Sequence, residues 1–470
     1  MSVKRYQSEF ADPAPLGQPL HFEFSGKTAM NRFHKAPITE RLATWHPTDY
    51  SRRGIPTEAL INVYRRWGEG GYGMIATGNV MVDPDQLEAS GNLIIPPDAP
   101  FSGERFEAYS KLADAAKKHG SLVVAQISHP GRQVFAHCKN QPISASDVQL
   151  KLNFLGHDFK APRAMEEKDF QDVIEGFVHA AEYCHAAGFD GVELHGAHGY
   201  LLAQFLAFTT NKRTDKYGGS LYNRARLIFE IADAIRERIP DKSFIVGIKI
   251  NSVEFQEGGF TTDDCRLLCL ELEKHGFDFV ELSGGTYEAL AFTHKRESSK
   301  KREAFFLDFA DMIVPELTKT KAIVTGGLRT VGAMVKALNI VQGIGLGRPA
   351  CHEFDLPKLI LEGKVQGAID SLLDEQNYVI TDVAAGAQVR LVAQGKAPID
   401  LTDSEIFAAF MKSMEIWVKE NTDDKDGRLY GWADIVGVEL QPYEALAPLD
   451  APAPLEASAP LEAPAPLVAA

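Results

Sequence analysis

Eight short apolar runs, rich in β-branched residues and separated by helical stretches, constrain this chain more than any other feature. They occupy residues 33–36, 74–77, 122–126, 191–195, 244–250, 279–283, 322–325 and 343–347. Short, largely apolar runs alternating with helical stretches suit strands of a parallel sheet with helices as crossovers. Between them, Phe170, Val173, Ile174, Phe177, Ala181 and Cys184 recur at three- and four-residue steps, which marks a helix over 167–187 closed by Gly188. Residues 223–237 and 262–275 read the same way. Eight strand and helix units predict a closed (β/α)8 TIM barrel of the α/β class over residues 1–362, because a doubly wound sheet has fewer strands and a switch point. The alternating stretch 20–24 predicts a hairpin plugging the barrel floor.

A helical extension is expected over 363–440. From Ala447 a six-residue unit repeats as APLDAP, APLEAS, APLEAP and APLVAA. Proline in the repeat removes backbone donors, and so little apolar area cannot offset chain entropy, so 441–470 reads as a disordered Ala/Pro-rich tail. The net charge of -15 works against a nucleic-acid or anionic-membrane partner. Cys138, Cys184, Cys265, Cys269 and Cys351 form no metal-ligand comb, which reads as reduced thiols. With no apolar leader and no run near the length of a membrane span, the expected location is cytoplasmic.

Barrels place chemistry at the C-terminal ends of their strands. There the chain carries Pro37, Ile38 and Thr39 after the first run, Gln126 at the third, and His195, His198 and Tyr200 at the fourth. Lys249 stands at the fifth, Gly326 and Gly327 at the seventh, and Gly347 and Arg348 at the eighth. The glycines and Arg348 make a phosphate cradle, with tight turns as the simpler explanation. Gln126 can exchange two hydrogen bonds with an imide-like ring edge. A core-facing Lys249 needs an anion, either a ligand or a carboxylate such as Glu193 or Glu281. Two imidazoles and a phenol in one loop can grip a carbonyl oxygen and deliver a proton; as zinc ligands the two histidines lack convincing companions, and no metal is expected. Gly68 to Gly73 satisfies G-x-G-x-x-G by letter but precedes a strand, so it reads as a helix-ending glycine cluster.

These motifs, MNRFHKAPIT, VVAQISHPGRQ, GVELHGAHGYLLAQFLAFTTNKRTDKYGGSLYNRARL, VGIKIN, TGGLRT and GLGRPA, resemble the Old Yellow Enzyme family of NADH:flavin oxidoreductases over residues 20–360. The resemblance implies tightly bound FMN, with NADPH or NADH as a transient donor. It implies that Pro37, Ile38 and Thr39 line the flavin ring, that Asn79 sits beside it through its backbone, and that Gln126 holds the pyrimidine edge. Lys249, where arginine is usual, would place positive charge near N1 and O2. Gly326, Gly327, Gly347 and Arg348 would bind the phosphate. His195 and His198 match the pair that holds a substrate carbonyl, and Tyr200 matches the proton donor. The run from Asn211 to Arg224 would brace the catalytic loop, while the 285–311 loop, with Tyr287, would cap the flavin. The extension is a candidate subunit contact in a homo-oligomer. The implied activity is ping-pong reduction of activated C=C bonds in α,β-unsaturated ketones, aldehydes and related alkenes, with hydride passing through flavin N5. Two rivals stay open on the residues alone: an aldolase using Lys249 as a Schiff base, and a flavin carrier without turnover.

Overall fold

The computed structural model describes residues 3–135, 140–154, 157–254, 257–285, 310–424 and 427–443. Its centre is a ring of eight parallel strands: β1 (Phe33–Lys35), β2 (Met74–Met81), β3 (Leu122–Ser128), β4 (Gly191–Gly196), β5 (Ile245–Asn251), β6 (Phe279–Ser283), β7 (Lys321–Thr325) and β8 (Gly343–Leu346). Each pairs with its neighbours, β8 pairs with β1, and β1 pairs with β2, which closes the barrel. All eight expected runs are strands. β2 outruns the apolar run 74–77 because the polar continuation is satisfied internally: Gly78 N donates to buried Glu40 Oε1 at 2.8 Å. The register with β3 shifts between Ala76 and Asn79, which bends the strand there.

Strand periodicity of two sorts the interior into layers. Val124, Ile245, Phe279 and Ile323 form an apolar floor with Leu20, Phe22 and Ala29 of the hairpin Leu20–His21/Thr28–Ala29, as the alternating stretch implied. Above it, Gln126 two residues after Val124, Glu281 two after Phe279 and Lys249 four after Ile245 occupy inward positions, where Gln126 lies beside Glu193 and Lys249 beside both His195 and Glu281.

Helices cover the outside. α1 (Glu58–Glu69) starts at Thr57, whose hydroxyl accepts from Leu60 N, and ends at Gly70 within the Gly68 to Gly73 cluster. α2 (Glu167–Ala186) is opened by a Glu166/Asp169 capping box, and Gly188 follows its end with φ 91°. α3 (Leu221–Arg238) and α4 (Thr262–Lys274) fall where the apolar spacing puts them.

Beyond the barrel, α5 (Tyr378–Ala393) and α6 (Ser404–Asp423) follow. α5 is buried on two sides, with Ala385, Val389 and Val392 in the barrel core and Val383, Ala384, Ala387 and Leu391 in a second core with Phe410, Trp417 and Trp432. The extension therefore packs against its own barrel, where Asn62 Nδ2 donates to Val392 O at 2.8 Å and Trp45 Nε1 to Gly427 O at 2.8 Å. Cys184, Cys265, Cys269 and Cys351 are buried free thiols. No helix among the described residues is long and apolar enough to cross a membrane. Cys138, Tyr287, most of the 285–311 loop and the repeat tail lie outside the described residues.

Candidate active site

The C-terminal ends of the strands open into one cavity of about 1340 Å³ including its mouth. It gathers Pro37, Ile38, Thr39, Asn79, Gln126, His195, His198, Tyr200, Lys249, Gly326, Gly327, Gly347 and Arg348, so these strand-end residues expected from the sequence meet in one place, with Tyr287 outside the described residues.

One end suits a phosphate. Gly326 and Gly327 run at φ 138° and 76°, conformations that a side chain would strain, which leaves their backbone bare toward the cavity. Arg348 donates to Thr381 Oγ1 at 2.6 Å, and Arg329 donates to Glu375 Oε2 at 3.0 Å. Burial tends to raise the Glu375 carboxyl, but Arg329 and Arg348 outweigh it and hold it at about 2.

The middle suits a heteroaromatic edge. Gln126 Nε2 donates to Glu193 Oε1 at 2.7 Å, which fixes the amide and leaves its carbonyl oxygen to the cavity. Lys249 Nζ donates to Glu281 Oε1 at 2.8 Å, so of the two carboxylates weighed for it, Glu281 is the partner. Several buried polar atoms here lack a partner among the described residues: Asn79 Oδ1, Thr325 Oγ1 and both ring nitrogens of His195. Orphaned donors and acceptors around a glycine-lined cavity are what a polar, phosphate-bearing planar cofactor would satisfy, and FMN fits that description.

The other wall carries the proton chemistry. His195 is buried with its ring 4.1 Å from that of Tyr200 and 5.5 Å from that of His198. His198, in the left-handed region at φ 57°, has Nε2 2.9 Å from Ser283 Oγ. Burial, then the neighbouring His198 and Lys249, hold His195 well below the usual imidazole value, and burial with Lys249 brings His198 down to about 3. Both are neutral near pH 7, so each has one N–H to donate and no proton to lose. Asn79 Nδ2 donates to Thr39 Oγ1 at 3.2 Å and to Tyr200 OH at 3.3 Å. The Asn79 side chain, and not only its backbone, thus joins the two ends of the site. Below them the Asn211 to Arg224 run bonds mostly to backbone, for example Asn211 Nδ2 to Phe205 O at 2.7 Å and to Tyr217 O at 2.8 Å.

Sequence reasoning missed part of the wall. Arg41, Arg329, Tyr378, Asp382 and Trp432 also line the cavity. Arg329 lies two residues after Gly327 and could have been read from TGGLRT. Trp432 donates Nε1 to Thr39 O at 3.1 Å across 393 residues, and no local signal announces it.

Fold and site together define an FMN-dependent barrel oxidoreductase. Comparison makes this specific: the model of the NADH:flavin oxidoreductase / NADH oxidase family matches residues 15–364, and the chain belongs to that family, the Old Yellow Enzymes. An NADH-dependent flavin oxidoreductase of Aspergillus parasiticus is 52% identical over 416 residues, covering 88% of this chain and 94% of the relative. Another of Talaromyces variabilis is 37% identical over 366 residues, covering 72% and 84%. Among solved structures, the old yellow enzyme homologue from Zymomonas mobilis superposes with TM-score 0.61 at 22% identity, covering 77% of this chain and 96% of that one. Morphinone reductase in complex with tetrahydroNAD gives 0.59 at 24%, covering 76% and 92%. The protein is thus an oxidoreductase that uses FMN and a nicotinamide, which sets aside the aldolase reading of Lys249. The family match ends at 364, so Tyr378, Asp382 and Trp432 reach the cavity from beyond it.

Proposed function

We propose that this enzyme uses NADH to reduce the C=C bond of α,β-unsaturated carbonyl compounds. NADH, not NADPH, is favoured by the activity for which the 52% identical relative is named. Bound FMN supplies the chemistry of carrying reducing equivalents from the nicotinamide to the alkene. Gly326, Gly327, Gly347 and Arg348 would hold its phosphate, Pro37, Ile38, Thr39 and Asn79 would line its ring, and Gln126 and Lys249 would meet its pyrimidine edge.

The observation that carries the reading is the pair His195 and His198, rings 5.5 Å apart, beside a buried Tyr200 whose ring lies 4.1 Å from His195. Two imidazole N–H groups aimed at one carbonyl oxygen draw electron density from the alkene and stabilise charge as it develops on that oxygen. Neutral imidazoles do this as donors, with no proton to surrender. Tyr200 OH then gives its proton to the α-carbon, and Asn79 Nδ2, 3.3 Å from that oxygen, stabilises the phenolate left behind. His195 packs edge-on against the Tyr200 ring and fixes where the hydroxyl points.

Stopped-flow measurement of the two half-reactions of Tyr200→Phe tests this. Alkene reduction should slow by about 10²- to 10⁴-fold, the usual contribution of a general acid, with reduction of the enzyme by NADH unchanged. Equal loss in both half-reactions would remove the proton-donor role.

A further inference from the structure

Beneath the Gln126 and Lys249 edge lies a group of titratable side chains that this chemistry leaves unused. His34, Glu193 and Glu281 sit inside the barrel with side chains at most 2% exposed, and their ligating atoms all lie within 4.8 Å of one another. Two carboxylates so close in a dry interior do not both ionise readily, and they divide the roles. Glu281 accepts from Lys249 and lies 3.2 Å from His34 Nε2; burial alone would raise its carboxyl, but Lys249 and then His34 outweigh burial and hold it well below the usual range. Glu193 has burial and the charge of Glu281 acting together, which push it well above. Glu193 is therefore the protonated member. Its Oε1 accepts from Gln126, and its Oε2, which finds no donor among the described residues, is the atom left to carry the proton.

Stability does not explain these groups. A buried ion pair seldom outdoes apolar packing of similar volume, and the layer directly below is apolar throughout. Nor is a divalent cation needed, because the Lys249 ammonium already supplies the positive charge at 2.8 Å.

We propose that Glu281 sets the reduction potential of the bound flavin by offsetting the charge of Lys249, while Glu193 orients the Gln126 amide. Glu281 is a positioning residue that acts through Lys249. The inference rests on the placement of the flavin edge against Gln126 and Lys249 proposed above. Reduced flavin concentrates more negative charge at that edge than the oxidised form does, so an unopposed ammonium would stabilise the reduced form and raise the potential. A carboxylate directly behind the ammonium cancels part of that field, which keeps the flavin a stronger donor to the alkene.

Spectroscopic redox titration of the FMN-loaded enzyme against reference dyes tests this. Glu281→Gln should favour binding of reduced over oxidised FMN by about tenfold, a rise of about 30 mV for a two-electron couple. Glu281→Asp, which keeps the charge, should stay near wild type. Lys249→Gln should lower the potential, and the Lys249→Gln/Glu281→Gln double variant should recover it. That pair of measurements also carries the test if Glu281→Gln alone does not fold, since the double variant exchanges an ion pair for an amide pair of similar volume. A potential unmoved in Glu281→Gln overturns the inference, as does a double variant identical to a lowered Lys249→Gln. A Lys249→Gln potential equal to wild type would instead overturn the placement of the flavin edge against it.

Discussion

Trp432 offers the sharpest check on how the extension serves the site. Its side chain is buried, donates to Thr39 O at 3.1 Å, stacks with Trp417 at 5.7 Å and lies under the Arg41 guanidinium at 4.2 Å. Trp432→Ala deletes all three contacts, and emptying a buried tryptophan site costs about 3–5 kcal/mol. Trp432→Phe keeps a ring for Trp417 and Arg41 but strands the Thr39 carbonyl, a loss of about 1 kcal/mol. Because that carbonyl belongs to the Pro37 to Thr39 segment of the cavity wall, cofactor binding should follow. The Ala variant should weaken FMN binding about tenfold, or about 1.4 kcal/mol, and the Phe variant by a few fold. Urea unfolding followed by circular dichroism reads the first quantity, and quenching of FMN fluorescence reads the second. If Trp432→Ala lost under about 1 kcal/mol and bound FMN as wild type does, the extension would not brace the rim in solution and the argument would fail.

Arg348→Ala should weaken FMN binding by about 10- to 100-fold, the range of a charge-assisted hydrogen bond, while leaving riboflavin binding nearly unchanged; calorimetry showing the same loss for both ligands would remove Arg348 from the phosphate. Gly345→Ala would set a Cβ 1.7 Å from Thr325 Oγ1, so overpacking should cost about 1–3 kcal/mol, and an unchanged thermal midpoint would contradict the β7/β8 register. His198 titrates near 3 in the folded chain and near 6.5 when unfolded, so as pH falls below 6.5 the unfolded state takes up a proton that the folded state refuses. Stability is thus lost on acidification, and His198→Asn should flatten the slope between pH 6 and 4 by about 1.4 kcal/mol per pH unit, checked by unfolding at several pH values; a slope identical to wild type would mean that the imidazole is not held neutral.

Much of the site was legible because a barrel converts linear order into radial position. Each strand ends at the same rim, so the residues following eight apolar runs must converge, and the linear order alone gathers Gln126, His195, Lys249, Gly326 and Arg348. Period two along a strand likewise set Lys249 two residues above Gly247 and Glu281 two above Phe279, facing inward.

What the chain alone could not decide was which inward groups meet. Glu193 and Glu281 were equal candidates for Lys249, and only the lateral register, which seats Lys249 directly beside Glu281, selects one. The Asn79 side chain reaches Tyr200 through a fold of β2 that depends on Glu40, distant in sequence. The extension carries no periodicity that points to a partner, and its docking is settled by three-dimensional contact: α5 has apolar residues on two sides that must be enclosed, and enclosing it between the barrel and α6 delivers Tyr378, Asp382 and Trp432 to the rim. Local propensity and spacing determined the strands, the helices and the list of reactive groups; lateral packing, which couples residues hundreds of positions apart, determined their partners, their charge states and the wall that closes over them.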